Sequence, residues 1–213
     1  MRIALALVLL TATAAAGNNE VSVTESARAL RSSSANAITE DGLVGVTFTY
    51  ARRFDLRPLP ALELWSHGSI GFGLADGLMF QTLTTELDTL SLTVGGGARY
   101  ALHRRIVATA RLEVGAAHAA LQIRDDDGHS ARDAGWGFIT STALGMDLYA
   151  IRGQRFTLGV RIELGAVATS SIPLTAMPGQ RDENMLELDM TAASLGELDL
   201  SGPTFAASLV GQF

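Results

Sequence analysis

Glu63, His67 and Ser69 follow one another as Glu-x-x-x-His-x-Ser. An acid that orients a base, and a base that activates a hydroxyl, are the groups a hydrolase uses for nucleophilic catalysis. Alternate side chains of an extended chain share a face, so all three stand on one side of a strand. Any strand with polar residues at every second position produces such a set, so it argues only weakly for an enzyme. Of the other histidines, His103 falls in a turn, His129 in a loop, and His118 on the apolar parity of its segment. Arg124-Asp125-Asp126-Asp127-Gly128 has the acidity of a calcium loop. It lacks ligands at alternating positions and the closing Glu, and reads as a solvated acidic turn. No catalytic, cofactor-binding or metal-ligating residue is assigned, and no cofactor is expected.

A second set of acids points to architecture. Glu63, Glu113 and Glu163 are each fifty residues apart. Three stretches, Tyr50–Trp65, Tyr100–Gly115 and Tyr149–Gly165, leave a Tyr, pass an Arg-rich turn and enter a strand with one of these Glu at its centre. Within Phe156–Ala166, the residues Phe156, Leu158, Val160, Ile162, Leu164 and Ala166 share one face, and Thr157, Arg161 and Glu163 the other. Ile106–Ala116 alternates likewise, with Arg111 and Glu113 on its polar face. A helix would set Arg161 and Glu163 about 200° apart and scatter the apolar set. Each segment is about 11 residues long, as a tilted membrane strand requires.

Extending this pattern gives eight strands, near 20–30, 42–52, 59–72, 88–101, 105–122, 136–150, 155–168 and 203–213. The first alternates poorly and is kept because bacterial single-chain barrels use even numbers. Connections near 53–58, 102–104 and 151–154 are short, and the others long, the asymmetry expected of inner turns and outer loops. Tyr50, Tyr100 and Tyr149, with Phe54, Phe156 and Phe213, fall at the short-turn end. Phe72, Trp136, Phe138 and Phe205 fall at the other, as two aromatic belts would. The expected fold is therefore an all-β, up-and-down antiparallel transmembrane barrel. A soluble sandwich gives no reason to sort Tyr by turn length.

Composition bounds the rest. Residues 1–16 read as a signal peptide, with Arg2, the apolar run Ile3–Leu10 and the small residues Ala14-Ala15-Ala16 before cleavage. Cleavage after Ala14 is the alternative. Residues 17–213 then form one barrel domain. The chain has no Cys, which excludes disulfides, a lipidated cysteine and thiolate metal sites. All 16 basic residues are Arg, and the net charge of −6 argues against nucleic acid as a partner.

On these residues the chain resembles small eight-stranded outer-membrane barrels of the OmpA/OmpX type. The closing strand carries the most specific likeness: Phe205, Ala207, Leu209, Gly211 and Phe213 alternate with Ala206, Ser208, Val210 and Gln212. In that class a final strand of this kind, here Phe205, Leu209 and Phe213, looks like the signal read by the barrel-assembly machinery. The resemblance implies an outer-membrane location, lipid and lipopolysaccharide as surroundings, and a monomer. With the apolar face toward lipid, Glu63, Arg99, Arg111, Glu113, Asp147, Arg161 and Glu163 face the lumen, where acids and Arg pair into a plug. The expected function is a non-enzymatic barrel with recognition loops, among them the acidic stretch Arg181–Leu200. The alternatives are a small passive channel for ions or small apolar molecules, and a lipid-modifying enzyme using His67. Leu158→Arg is expected to disrupt a mid-membrane position.

Overall fold

The computed structural model describes residues 18–39, 42–54, 61–79, 83–124, 130–153, 156–174 and 196–213. The expected signal peptide, Asp125–Asp127 and most of the acidic stretch Arg181–Leu200 lie outside them. The strands are β1 (Asn19–Arg28), β2 (Leu43–Arg53), β3 (Leu62–Met79), β4 (Leu83–His103), β5 (Ile106–Arg124), β6 (Ser130–Arg152), β7 (Thr157–Thr169), β8 (Ile172–Leu174), β9 (Gly196–Leu198) and β10 (Gly202–Gln212); one short helix, α1, spans Ser33–Ile38. Eight of the strands close a ring in the order β1-β10-β7-β6-β5-β4-β3-β2, every pair antiparallel, while β8 and β9 form a separate hairpin.

The register fixes the barrel's shape. The pairs Asn19–Arg52, Ser66–Gly96, Leu112–Thr142 and Ala166–Pro203 lie on one line across the sheet, which returns to β1 at Ala29 through its bond to Pro203, ten residues from its start. A stagger of ten residues over eight strands, with ordinary strand spacings, gives a tilt of about 40° and about 2.5 Å of height per residue. An interior of this width holds side chains and little else.

Inside and outside differ as alternation dictates. On β7, Val160, Ile162 and Leu164 are exposed outward while Arg161 and Glu163 are buried inward. Leu158 to Ala168 covers roughly 25 Å of height, the thickness of an outer-membrane apolar band. Leu158 itself is at the short-turn edge of β7, opposite Gly211, so it is not a mid-belt position. Tyr149 also departs from the belt: it is 4% exposed and turns inward, next to a bulge between Tyr149 and Ile151. Phe205 pairs with Leu164 inside the belt rather than marking its rim.

Strands β3, β4 and β6 continue further at the long-loop end than alternation with apolar residues outward suggests. There the outward row turns mixed, with Leu74 and Leu78 exposed beside acids. Asp76, Glu86 and Asp88 are exposed outside, while Ala75, Thr85 and Leu87 are buried inside. Over this end fold α1 and the β8–β9 hairpin, and Leu30, Ile38, Leu87, Leu121, Ile172 and Leu200 share one apolar core. The helix comes very close to β3: a Cβ on Gly77 would lie 2.5 Å from the Ile38 carbonyl oxygen. Polarity thus inverts along the axis. The lower barrel is apolar outside and charged inside, and the upper end has an oily centre and a charged rim.

Candidate functional site

The lower lumen is filled by two linked charge clusters. In the first, Glu20 of β1 takes both guanidinium nitrogens of Arg99 at 2.5 and 2.6 Å and one of Arg161 at 3.1 Å. Arg161 also grips Asp147 through Nε at 2.5 Å and a terminal nitrogen at 2.9 Å. Tyr149 donates to Asp147 at 3.0 Å, and Gln212 donates to Glu20 at 3.1 Å and to the Tyr149 oxygen at 2.7 Å. The Arg99 guanidinium lies 4.0 Å from the ring centroid of Trp65. Glu20, Arg99, Asp147 and Arg161 are all buried, and their mutual pairing offsets the cost of leaving water.

The second cluster is centred on Glu113. Ser69 and Ser141 donate to its two oxygens at 3.1 Å each, and Thr93 at 3.4 Å. Arg111 reaches Glu113 at 3.4 Å and Glu163 at 3.0 Å. Three guanidiniums, of Arg99, Arg111 and Arg161, thus meet four carboxylates. The fourth acid, Glu113, takes three hydroxyls, of Ser69, Thr93 and Ser141, besides the Arg111 it shares with Glu163. A side chain at position 145 would collide here: a Cβ on Gly145 would lie 2.6 Å from Glu163 Cγ.

The sequence-derived lumen residues divide between these clusters, with Glu63 apart. Glu63 lies at the lower mouth, bonded by Arg53 at 3.1 Å and by the Trp65 indole at 3.3 Å. The hydrolase-like set is not assembled. His67 Nε2 is 3.2 Å from Glu113, Ser69 directs its hydroxyl to Glu113 and exchanges a hydrogen bond with Thr49 at 3.0 Å, and Glu63 serves Arg53. Among the described residues no hydrogen bond joins Ser69 to His67, and the Ser69 hydroxyl goes to Glu113 instead. Above the charges come hydroxyls, among them Thr24 bonded to Ser208 at 2.8 Å, and above those the apolar core. At the foot of the closing strand, Phe213 is 5% exposed and its backbone pairs with Asn19, while Phe205 and Leu209 face outward.

Glu20, the hub of the first cluster, was not evident from the sequence, because β1 looked irregular. Its inward residues, Glu20, Ser22, Thr24, Ser26 and Arg28, are polar at every second position, and that was the available signal. Only the outward set, Val21, Val23, Glu25 and Ala27, is broken by an acid.

No family model matches this chain, and no curated protein matches it. Several solved structures align with it. The attachment invasion locus protein Ail of Yersinia pestis is 10% identical, covering 93% of this chain and 98% of its own, with a TM-score of 0.45. The β domain of the Bordetella autotransporter BrkA is 15% identical, covering 92% of this chain and 69% of its own, at 0.42. The translocator domain of NalP from Neisseria meningitidis is 7% identical, covering 100% and 94%, at 0.44. The barrel assignment itself rests on the closed pairing of this chain's own strands.

Proposed function

We propose that this chain is a non-enzymatic barrel of the bacterial outer membrane, closed along its axis, whose outer loops do the recognising. The observation that carries the reading is the inversion of polarity along the axis. A water-soluble barrel has no reason to expose Leu144, Leu164 and Leu209 outside while burying Glu20, Asp147 and Arg161. Hydrocarbon around the lower barrel and water around the upper end account for both halves. Lipid and lipopolysaccharide are its surroundings, and a cleaved leader and the closing Phe205–Phe213 strand deliver it to the assembly machinery.

Two plugs argue against conduction. Paired charges fill the lower lumen, and an apolar core covers the outer end. Purified protein in a planar bilayer is expected to show no steady conductance above background, and a reproducible open pore would replace this reading with the channel. Recognition belongs to the long outer loop. Deleting Gln180–Leu195 is expected to abolish binding to lipopolysaccharide-bearing surfaces while leaving the barrel folded, and unchanged binding would remove the loop's role.

A further inference from the structure

Glu25 lies on the outside of the barrel. It is exposed, and its partners across the sheet are Val46 of β2 and Ala207 of β10. Ala207 is the central member of the outward row Pro203, Phe205, Ala207, Leu209 and Gly211. On the membrane reading given above, on which this inference rests, Glu25 faces hydrocarbon near mid-depth. No hydrogen bond or ion pair reaches its carboxyl among the described residues. An ionisable group facing lipid at that depth is costly, and its usual remedy is a polar partner on another membrane protein.

A complementary surface exists on the same molecule. An apolar groove of about 970 Å³ runs obliquely across the outer faces of β3 to β7. Gly96, Ala98, Ala110 and Ala166 make it shallow-walled enough for close approach, and Thr142 is the hydroxyl in its lining. The register sets Thr142 level with Glu25. From Glu25 the pairing runs through Ala207 and Ile162 to Met146. A level line drifts about 1.25 residues per strand at this stagger, so three strands round it has moved from Met146 to Thr142.

We propose that a second copy of this chain docks its β1 face into this groove, so that the Glu25 carboxyl of one copy and the Thr142 hydroxyl of the next share a hydrogen bond within the membrane. Two copies inserted in the same sense keep their depths matched, which the contact requires. A symmetric pair would instead set carboxyl against carboxyl. The β1 face and the groove lie on different sides of the barrel, so the contact is heterologous and propagates head to tail. The monomer expected from the sequence gives way to small arrays.

The chain contains no Cys, so cross-linking is clean. Val23 and Leu144, the latter in the groove wall, flank Glu25 and Thr142 by two residues on the same outer faces, so V23C and L144C keep both polar groups. The two variants, mixed in lipid vesicles and oxidised, are expected to form a mixed disulfide, and the double variant a ladder beyond dimer. Adding E25A or T142V is expected to cut the yield about tenfold, the worth of one such hydrogen bond, while T140V leaves it unchanged. A V23C–V23C link that stops at dimer would overturn the head-to-tail contact in favour of a symmetric one. Absence of any link in protein that has inserted, as judged by heat-shifted gel migration, would refute the docking alone. Failure to insert would refute the membrane reading beneath it.

Discussion

Glu20 shows how much one buried side chain can hold. It bridges Arg99 and Arg161, which approach from opposite parts of the ring. Removing it takes from Arg99 its bonded carboxylate and from Arg161 one of two, so Glu20→Ala is expected to cost about 3–5 kcal/mol in micelle unfolding by urea. The Arg53–Glu63 pair at the mouth, with Glu63 35% exposed, is expected to cost about 0–1 kcal/mol when changed to Gln. Equal losses would mean that the lumen is wetter than its packing implies. At the outer end, Asp199 accepts hydrogen bonds from the Ser201 hydroxyl at 2.5 Å, the Ser201 amide at 2.9 Å and the Thr169 hydroxyl at 3.1 Å. The Ser201 hydroxyl, more than burial opposes, holds the Asp199 carboxyl below its ordinary value. Its folded state therefore binds a proton less readily than the unfolded chain. The resulting stabilisation is full above the ordinary Asp value of about 4 and disappears as pH falls through the lowered one. Proteolytic resistance of the segment near Asp199 is expected to exceed that of Asp199→Asn at neutral pH, with the gap closing in acid.

Depth along a strand sorts the effect of an added charge. Leu164 is 65% exposed and central in the outward row of β7, whereas Leu158 is at the strand's lower edge. Leu164→Arg is expected to cost about 2–4 kcal/mol, falling toward ~1 for Leu158→Arg and less for a charge at the lumen-side Thr157. Reversal of that order, measured by unfolding in lipid vesicles, would mean that the heights are wrong. The sequence made β5, β7 and β10 plain because their outward faces are apolar through the belt, from Ile106 to Ala116 on β5. It hid β1, where Glu25 interrupts the outward row, and with it the hub residue Glu20. It also hid the upper parts of β3, β4 and β6, because a search for apolar-outward alternation passes over strands whose outward rows mix acids or Arg with apolar residues. Helix α1 gave no signal at all: six residues with no capping side-chain bond are held by packing Ala35 and Ile38, not by their own propensity. The Glu-x-x-x-His-x-Ser set was legible as lumen-facing, but the separation of Glu63 from His67 and Ser69 was not. Only the geometry at Glu113 shows where the His67 and Ser69 groups go.

As a whole, the molecule is a closed sheet with two interiors stacked along one axis, one ionic and one oily. Complete strand pairing leaves no sheet edge in the ring, so unfolding is expected to be all-or-none across it. The folded protein is expected to survive SDS at room temperature and to change its gel migration only on boiling, whereas a continuous shift on gentle warming would speak for a looser assembly.

The chain's two tryptophans make a direct test of which solvent surrounds the barrel. Trp136 is 56% exposed on the outer face beside His118, and Trp65 is 2% exposed in the lumen under Arg99. In vesicles of lipid brominated at the headgroup end of the acyl chain, fluorescence of the Trp65→Phe variant, which reports Trp136 at the outer rim of the belt, is expected to be clearly quenched. That of Trp136→Phe, which reports Trp65, is expected to be nearly untouched. Equal quenching, or quenching of Trp65 alone, would contradict a barrel with hydrocarbon outside and charge within.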